Sequence, residues 1–476
     1  MPSLLILIPL LCLLLFNLPW RKVGERVAFW AAFVFLTAQM AASAARFFRA
    51  RYLLTDPLSG ILFFRLAGDG LTWILLFTVA MTAMTVLLAG RVFFQDERQK
   101  FLFNNLLCVS LIGMNGTALT TDLFSLYVFL EITSVSSFIL IAIRKEKEAL
   151  EGAFKYLILS TVATVLMLAA VGFFLLVAGG TSFAEIRMAC IESGHPGFAR
   201  LAAALFVGGL LIKAGVVPFH WWLPDAYGSA PAPVSILLAG IVTKATGVYG
   251  LARLTVSVLG RNPELQAALM LAGTVSIFAG ALAAIGQRDF KRMLAYSSIS
   301  QVGYIVLGIG CGTPLALAGA VFHLFNHAVF KTLLFVDAAS VERRLGTTDM
   351  SRMGGLASRM PWTGWSSVVA LLSTAGIPPL AGFWSKLVIL VALWQAGAHA
   401  YAALALLGGI LTLAYFLSMQ RRVFFGKETP ETAAVREADL GLVLPEIVLT
   451  ALTVGIGLAF PFALRHVILP IQQLLW

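Results

Sequence analysis

The sequence predicts an all-α integral membrane protein of about fourteen transmembrane helices, with two inverted five-helix repeats and discontinuous seventh and twelfth helices. Three observations carry this prediction. Hydrophobic residues make up 59% of the 476 and charged residues 12%, against about 25% charged in soluble domains. Apolar runs of membrane length follow one another through short polar connections, with no soluble domain between them. Two of these runs are broken by proline in the same local pattern.

A membrane-crossing helix needs about 20 mostly apolar residues. On that rule, runs centre near residues 11, 34, 80, 110, 132, 166, 209, 243, 276, 304, 326, 380, 412 and 455. The first, Pro2 to Trp20, lacks the basic start and small-residue cleavage site of a signal peptide and reads as a span. Residues 1–99 then hold helices one to three and 100–257 the first repeat (helices four to eight). Residues 262–425 hold the second repeat (helices nine to thirteen) and 440–476 the fourteenth helix. Alternate connections differ in basic residues. One side has twenty, including Arg21, Lys22, Arg91, Arg144, Lys291, Arg292 and Arg343; the other has nine, including Arg51, Arg65, Arg253 and Arg261. The positive-inside rule makes the richer side cytoplasmic. The expectation is a multi-pass protein of the cell's inner membrane with both termini on the outer face.

The net charge of +11 is scattered through these connections. No basic tract or aromatic-interleaved patch is present, which excludes a nucleic-acid partner. Cys12, Cys108, Cys190 and Cys311 lie far apart, with neither metal spacing nor a disulfide framework. No CxxC pair, glycine-rich nucleotide fingerprint or haem attachment site appears. The chain is therefore expected to have no catalytic residues, metal or cofactor of its own.

The breaks come next. "KAGVVPFHWW" (213–222) and "STAGIPPLAGFWSK" (373–386) share Ala-Gly, an aliphatic residue, and proline three places after the glycine, at an offset of 161 residues. Proline removes a backbone donor and clashes with the preceding turn. Lipid supplies no replacement, so such a break survives only where protein or trapped water surrounds it. Corresponding breaks in two halves mark an internal repeat with ion sites at the interruptions. Five spans per unit, an odd number, force the repeats into opposite orientations. On this reading the freed carbonyls gather beside Lys213 and Lys244, and His220 and Asp225 add exchangeable sites.

Five lysines fall within spans: Lys155, Lys213, Lys244, Lys331 and Lys386. Lys155 is close enough to its span's cytoplasmic end to snorkel. The other four sit near span centres, where a charge costs at least ~3 kcal/mol on insertion scales. His323, His327 and Lys331 follow one another at i, i+4 spacing on one helical face. Among acids, Glu131 stands out mid-span and Asp225 is second, too few to pair every lysine. Neighbouring buried lysines are expected to alternate between neutral and charged forms. A water-linked row of such groups is what proton conduction requires. A structural reading remains for each alone: an ion pair for Glu131, satisfied core histidines for His323 and His327, snorkelling for Lys386.

The stretch "KAGVVPFHWWLPDAYGSAPAPVSILLAGIVTK" resembles the signature of antiporter-like, proton-conducting membrane subunits. These are the N, M and L subunits of respiratory complex I, the large subunits of Mrp cation/proton antiporters, and their counterparts in membrane-bound hydrogenases. "FLEITSVSSFILIA", "DFKRMLAYSSISQVGYI", "HLFNHAVFKTLLF" and "GIPPLAGFWSK" match in kind and order, over residues 100 to 425. The resemblance implies a charged axis along the membrane midplane. Glu131 would be the fifth-helix glutamate paired with the seventh-helix Lys213, and Lys244 the eighth-helix relay. Lys331 with His327 and His323 would be the eleventh-helix relay, and Lys386 the twelfth-helix exit lysine. Because no lateral helix follows the fourteenth span, an N-, M- or Mrp D-like member is expected. The loop "VERRLGTTDMSRMGGLASRMP" is closest to hydrogenase and Mrp relatives. Implied partners are the other membrane subunits of a complex, lipid, and protons or sodium ions. The competing class is a stand-alone solute transporter binding its substrate at His220 and Asp225. Copurifying subunits would separate the two.

Overall fold

The computed structural model describes residues 2–17, 24–49, 54–56, 65–192 and 196–469. Arg21, Lys22 and Arg51, used above for orientation, lie outside them, as do Trp20 and the residues after 469. Among the described residues twelve helices are long and apolar enough to cross a membrane, and the shorter first helix and the second broken span bring the order to fourteen spans. They are α1 (Leu4–Phe16), α2 (Glu25–Arg49), α3 (Gly70–Phe93), α4 (Glu97–Leu119), α5 (Leu123–Ile141) and α6 (Lys147–Ala178). The broken seventh span comprises α7a (Pro196–Ala214) and α7b (Trp222–Ser229). Next come α8 (Ala232–Leu259), α9 (Pro263–Ile285), α10 (Phe290–Cys311) and α11 (Pro314–Leu345). The second broken span is α12a (Pro361–Ala375) with α12b (Ala381–Gln395), before α13 (His399–Val423) and α14 (Leu440–Leu458). A two-residue antiparallel pair, Leu54–Thr55 with Ala67–Gly68, braces the α2–α3 connection.

The short connections work because their residues cap the helices they join. Asp69, Asp96, Asp122, Asn262, Asp289 and Thr313 each accept a backbone N–H of the following first turn. This satisfies donors that would otherwise be orphaned at the membrane surface. Gly179, Gly312 and Gly346 close α6, α10 and α11 in the left-handed conformation, where glycine carries no Cβ penalty.

The repeat is visible in backbone hydrogen bonds. At the first break Gly215 N–H donates to Ile212, Val216 to Leu211 and Phe219 to Val216. At the second, Gly376 donates to Ser373, Ile377 to Leu372 and Leu380 to Ile377, each position shifted by the same 161 residues. Gly215 and Gly376 both have positive φ, 68° and 89°, and both breaks carry a cis X-Pro bond, at Pro218 and Pro379. Isolated β-bridges tie equivalent connections: Asp122 to Ser182 in the first unit, Asp289 to Asp349 in the second. Five spans separate the α4–α5 connection from the α9–α10 connection, so the two bridges lie at opposite ends of the bundle. The repeats are inverted.

The core sits where the two units meet. The apolar window of α8 is 100% buried, whereas that of α6 is 28% buried and faces outward. A helix apolar all round belongs in an interior, and α8, α10 and α11 take that place. One feature of α8 has no counterpart in the sequence reading. Leu238–Val242, Lys244–Tyr249 and Thr255–Leu259 are wound as π-helix, a geometry that clusters at functional sites.

Candidate functional site: a row of buried bases

Lys213 is the penultimate residue of α7a, 2% exposed. Its ammonium group donates to Glu131 Oε1 at 2.8 Å, Ser134 Oγ at 2.8 Å and Ser160 Oγ at 3.1 Å. Three hydrogens meet three oxygens, so the cation is fully satisfied by α5 and α6. Ala214, next along, abuts Gly247, whose missing side chain lets the backbones touch: a Cβ there would stand 2.3 Å from Ala214 N. This contact sets the end of α7a against α8 one turn beyond Lys244.

Lys244 is fully buried, and its Nζ rests on the Ala239 carbonyl of its own π-wound helix. On α11, Lys331 Nζ donates to the Leu294 carbonyl at 3.0 Å and to Ser297 Oγ, and lies 5.8 Å from the centre of the Phe416 ring. His323 and His327 lie parallel with centroids 6.3 Å apart. His323 Nδ1 meets Ser385 Oγ at 2.8 Å, whereas both ring nitrogens of His327 are buried without a protein partner. Lys386 donates to the Thr374 carbonyl at 2.7 Å and stands 4.3 Å from the Tyr304 ring centre, a cation–π arrangement. Lys244, Lys331 and Lys386 are all electrostatic neighbours of His327, so these bases form one connected group.

The structure departs from the sequence reading in four places. Freed carbonyls do not gather beside Lys213: at the first break the Ile212 carbonyl accepts the Trp222 indole N–H at 3.0 Å. Only at the second break does a freed carbonyl, that of Thr374, hold a lysine. Asp225 and His220 stand apart from the row. Asp225 pairs with Lys155 at 2.7 Å and Arg292 at 2.5 Å, and Glu151 also pairs with the half-exposed Lys155. His220 lies half-buried in the break, stacked on the exposed Trp221. The acid count was also too low, since Asp337 on α11 and Glu446 on α14 are both 0% exposed. Finally, two basic residues read as loop charges are interior. Arg253 forms a bidentate pair with Asp69, and Lys291 bridges Glu342 and the Ala230 carbonyl. Among the described residues no group of His, Cys, Asp and Glu could hold a metal ion.

Comparison with known proteins places this geometry. Residues 120–412 match the family described as NADH:quinone oxidoreductase/Mrp antiporter, transmembrane. The chain is 36% identical over 368 residues to the D subunit of the Na(+)/H(+) antiporter of Alkalihalophilus pseudofirmus, covering 76% of this chain and 74% of that one. It is 36% identical over 416 residues to the N subunit of the NADH-quinone oxidoreductase of Desulforudis audaxviator, covering 85% and 80%. A chain of the Mrp complex from Dietzia sp. shares the fold at a TM-score of 0.91 and 24% identity, over 100% of this chain and 97% of that one. The inverted repeats, the paired helix breaks and the matched core belong together: this chain is a member of the NADH:quinone oxidoreductase/Mrp antiporter transmembrane family.

Proposed function

We propose that this chain moves protons across the inner membrane as one member of a multisubunit complex, with both termini on the outer face. The route runs from Glu131 and Lys213 through Lys244 to His327 and Lys331, and leaves by way of Lys386. The observation that supports it is the row itself. Four lysines, each 5% exposed or less, lie at the depth of span centres, and among the described residues only Lys213 has a carboxylate partner. A static scaffold has no use for four charges that each cost at least ~3 kcal/mol to insert. A relay needs them: apart from Lys213, each amine rests on carbonyl, hydroxyl or aromatic groups that hold it in place without neutralising it.

In this mechanism Glu131 and Lys213 are a bistable pair. While Glu131 is close, its attraction keeps the proton on Lys213. When a neighbouring protein of the complex changes charge and pulls Glu131 away, Ser134 and Ser160 still orient the amine, and the proton passes toward Lys244. Such a shift requires Glu131 to interact differently with the two states of its neighbour. His220 and Asp225 are not on this route. The competing solute-transport reading relied on those two residues binding a substrate together, and the Asp225 carboxylate is already taken up by Lys155 and Arg292.

The test is proton movement by the purified complex in sealed vesicles. Lys244→Met or Lys331→Met is expected to lower it at least about tenfold, equivalent to ~1.4 kcal/mol of barrier, with assembly unchanged. Loss of assembly, with undiminished translocation per assembled complex, would show the lysines to be structural.

A further inference from the structure

Between α11, α12a and α14, away from the row of bases, Asp337 and Glu446 are enclosed with no exposed surface. Removing an ionised carboxylate from water is costly unless a cation or several donors replace the solvent. No ion pair reaches either acid among the described residues. The charged groups facing them lie nearer the surface. Arg343 and Arg344 pair with Asp439 at 3.6 and 3.3 Å, Arg344 also donates to the Glu437 carbonyl, and Glu437 adds another negative charge.

Hydrogen counting points to protonated acids. Thr363 Oγ1 has one hydrogen, yet it stands 2.8 Å from Glu437 Oε1 and 3.2 and 3.3 Å from Glu446 Oε2 and Oε1. Ser366 Oγ also has one, yet it stands 2.5 Å from Asp337 Oδ1 and 2.9 Å from the Thr363 carbonyl. A carbonyl only accepts. If Ser366 bonds the Thr363 carbonyl, the hydrogen in its contact with Asp337 must come from Asp337. If Thr363 donates to Glu437, its contact with Glu446 is supplied by Glu446. Ser340 donates to Glu446 Oε1 at 2.6 Å, which leaves Oε2 to carry that hydrogen. Asp337 Oδ2, buried, has no partner at all, as expected of an oxygen that need not carry charge.

We propose that Asp337 and Glu446 form a proton-holding site, in which Glu446 is filled and emptied from the membrane face that carries Glu437 through the hydroxyl of Thr363 while Asp337 keeps its proton. In each transfer the Glu446 O–H bond breaks and its proton joins Thr363 Oγ1, while the hydroxyl's own proton passes to the Glu437 carboxylate; filling runs in reverse. Asp337 lies six residues beyond Lys331 on α11, about 9 Å along the helix axis, so emptying Glu446 places negative charge beside the helix that bears the relay. That consequence rests on the translocation reading, but the site's occupancy by protons does not. A metal cation is the alternative occupant. It would need several ligand oxygens converging on one point, and among the described residues no group of three or more His, Cys, Asp and Glu is so placed.

The test is the infrared spectrum of the complex, purified through a tag on this chain, in the region of the protonated carboxyl C=O stretch. At neutral pH two such components are expected, both shifting in deuterated water. Glu446→Gln removes one and Asp337→Asn the other. Ser366→Ala keeps both acids and moves the Asp337 component to higher frequency. Thr363→Val keeps both components and slows deuteration of the Glu446 component. Carboxyl absorption unaltered by both acid substitutions overturns the proposal, as does its collapse when sodium is added at constant pH. Lys331→Met leaves these bands in place, so failure of the translocation reading and failure of this one give different results.

Discussion

Lys213 illustrates how much one residue depends on its partners. Its three hydrogens are matched by Glu131, Ser134 and Ser160, and Glu131 is the one partner able to balance the charge. Removing one member of a fully buried pair costs about 3–5 kcal/mol. The Glu131 side chain is 26% exposed, which screens the interaction, so Glu131→Gln is expected to destabilise by about 1–3 kcal/mol. Adding Lys213→Met should recover most of that loss, because no unpaired cation remains, while transport stays abolished. Thermal unfolding of the purified complex measures the cycle; additive losses would show that the two residues do not act as a pair. The lysines and histidines of the row were legible in the sequence because a charge within an apolar run stands out. Asp337 and Glu446 were not, because each lies a few turns from a helix end, beside polar residues ("DAASVERR", "EADLGLVLPE") that read as connection. Arg253 was missed for the same reason. Burial of residues near a helix end depends on what packs over it, and no local pattern carries that information.

At the scale of elements, the helix breaks could be read because proline's effect is local and unconditional. The packing that makes the breaks useful could not. Gly247 is an unremarked residue of "KATGVYG", yet it allows the end of α7a to rest on α8. Gly247→Ala would put a Cβ 2.3 Å from Ala214 N and 2.4 Å from its Cα, both rigid backbone atoms, so one helix must shift. Overpacking of this kind costs about 1–3 kcal/mol. It should also slow proton transfer, since the displaced elements carry Lys213 and Lys244. Gly172→Ala on α6, with nothing within 4 Å of the added Cβ, should leave both stability and transport unchanged. Equal effects of the two substitutions on melting temperature and transport would remove Gly247 from this role. The π-winding of α8 was equally unreadable, because its sequence is ordinary.

At the scale of the whole molecule, the number and order of the spans were legible because membrane thickness converts composition directly into length. The inversion followed from counting five spans per unit. What the fold adds is the placement of its charges. The bases of the row lie on and around α8, α10 and α11, the most enclosed spans, while α6 and α13 present apolar faces outward. The connections alternate along fourteen spans, so the basic loops containing Arg288, Arg352 and Lys427 share one side, and the tight turn from α12b to α13 lies on the other. The proposed orientation, from the positive-inside rule, has the first side cytoplasmic. With Cys12, Cys108, Cys190 and Cys311 replaced by serine, Ala400→Cys and Lys427→Cys provide exposed reporters on the two sides. A membrane-impermeant maleimide applied to intact cells should label Ala400→Cys and spare Lys427→Cys until the membrane is opened. The opposite labelling would invert the molecule and, with it, the face from which Glu437 exchanges protons with Glu446.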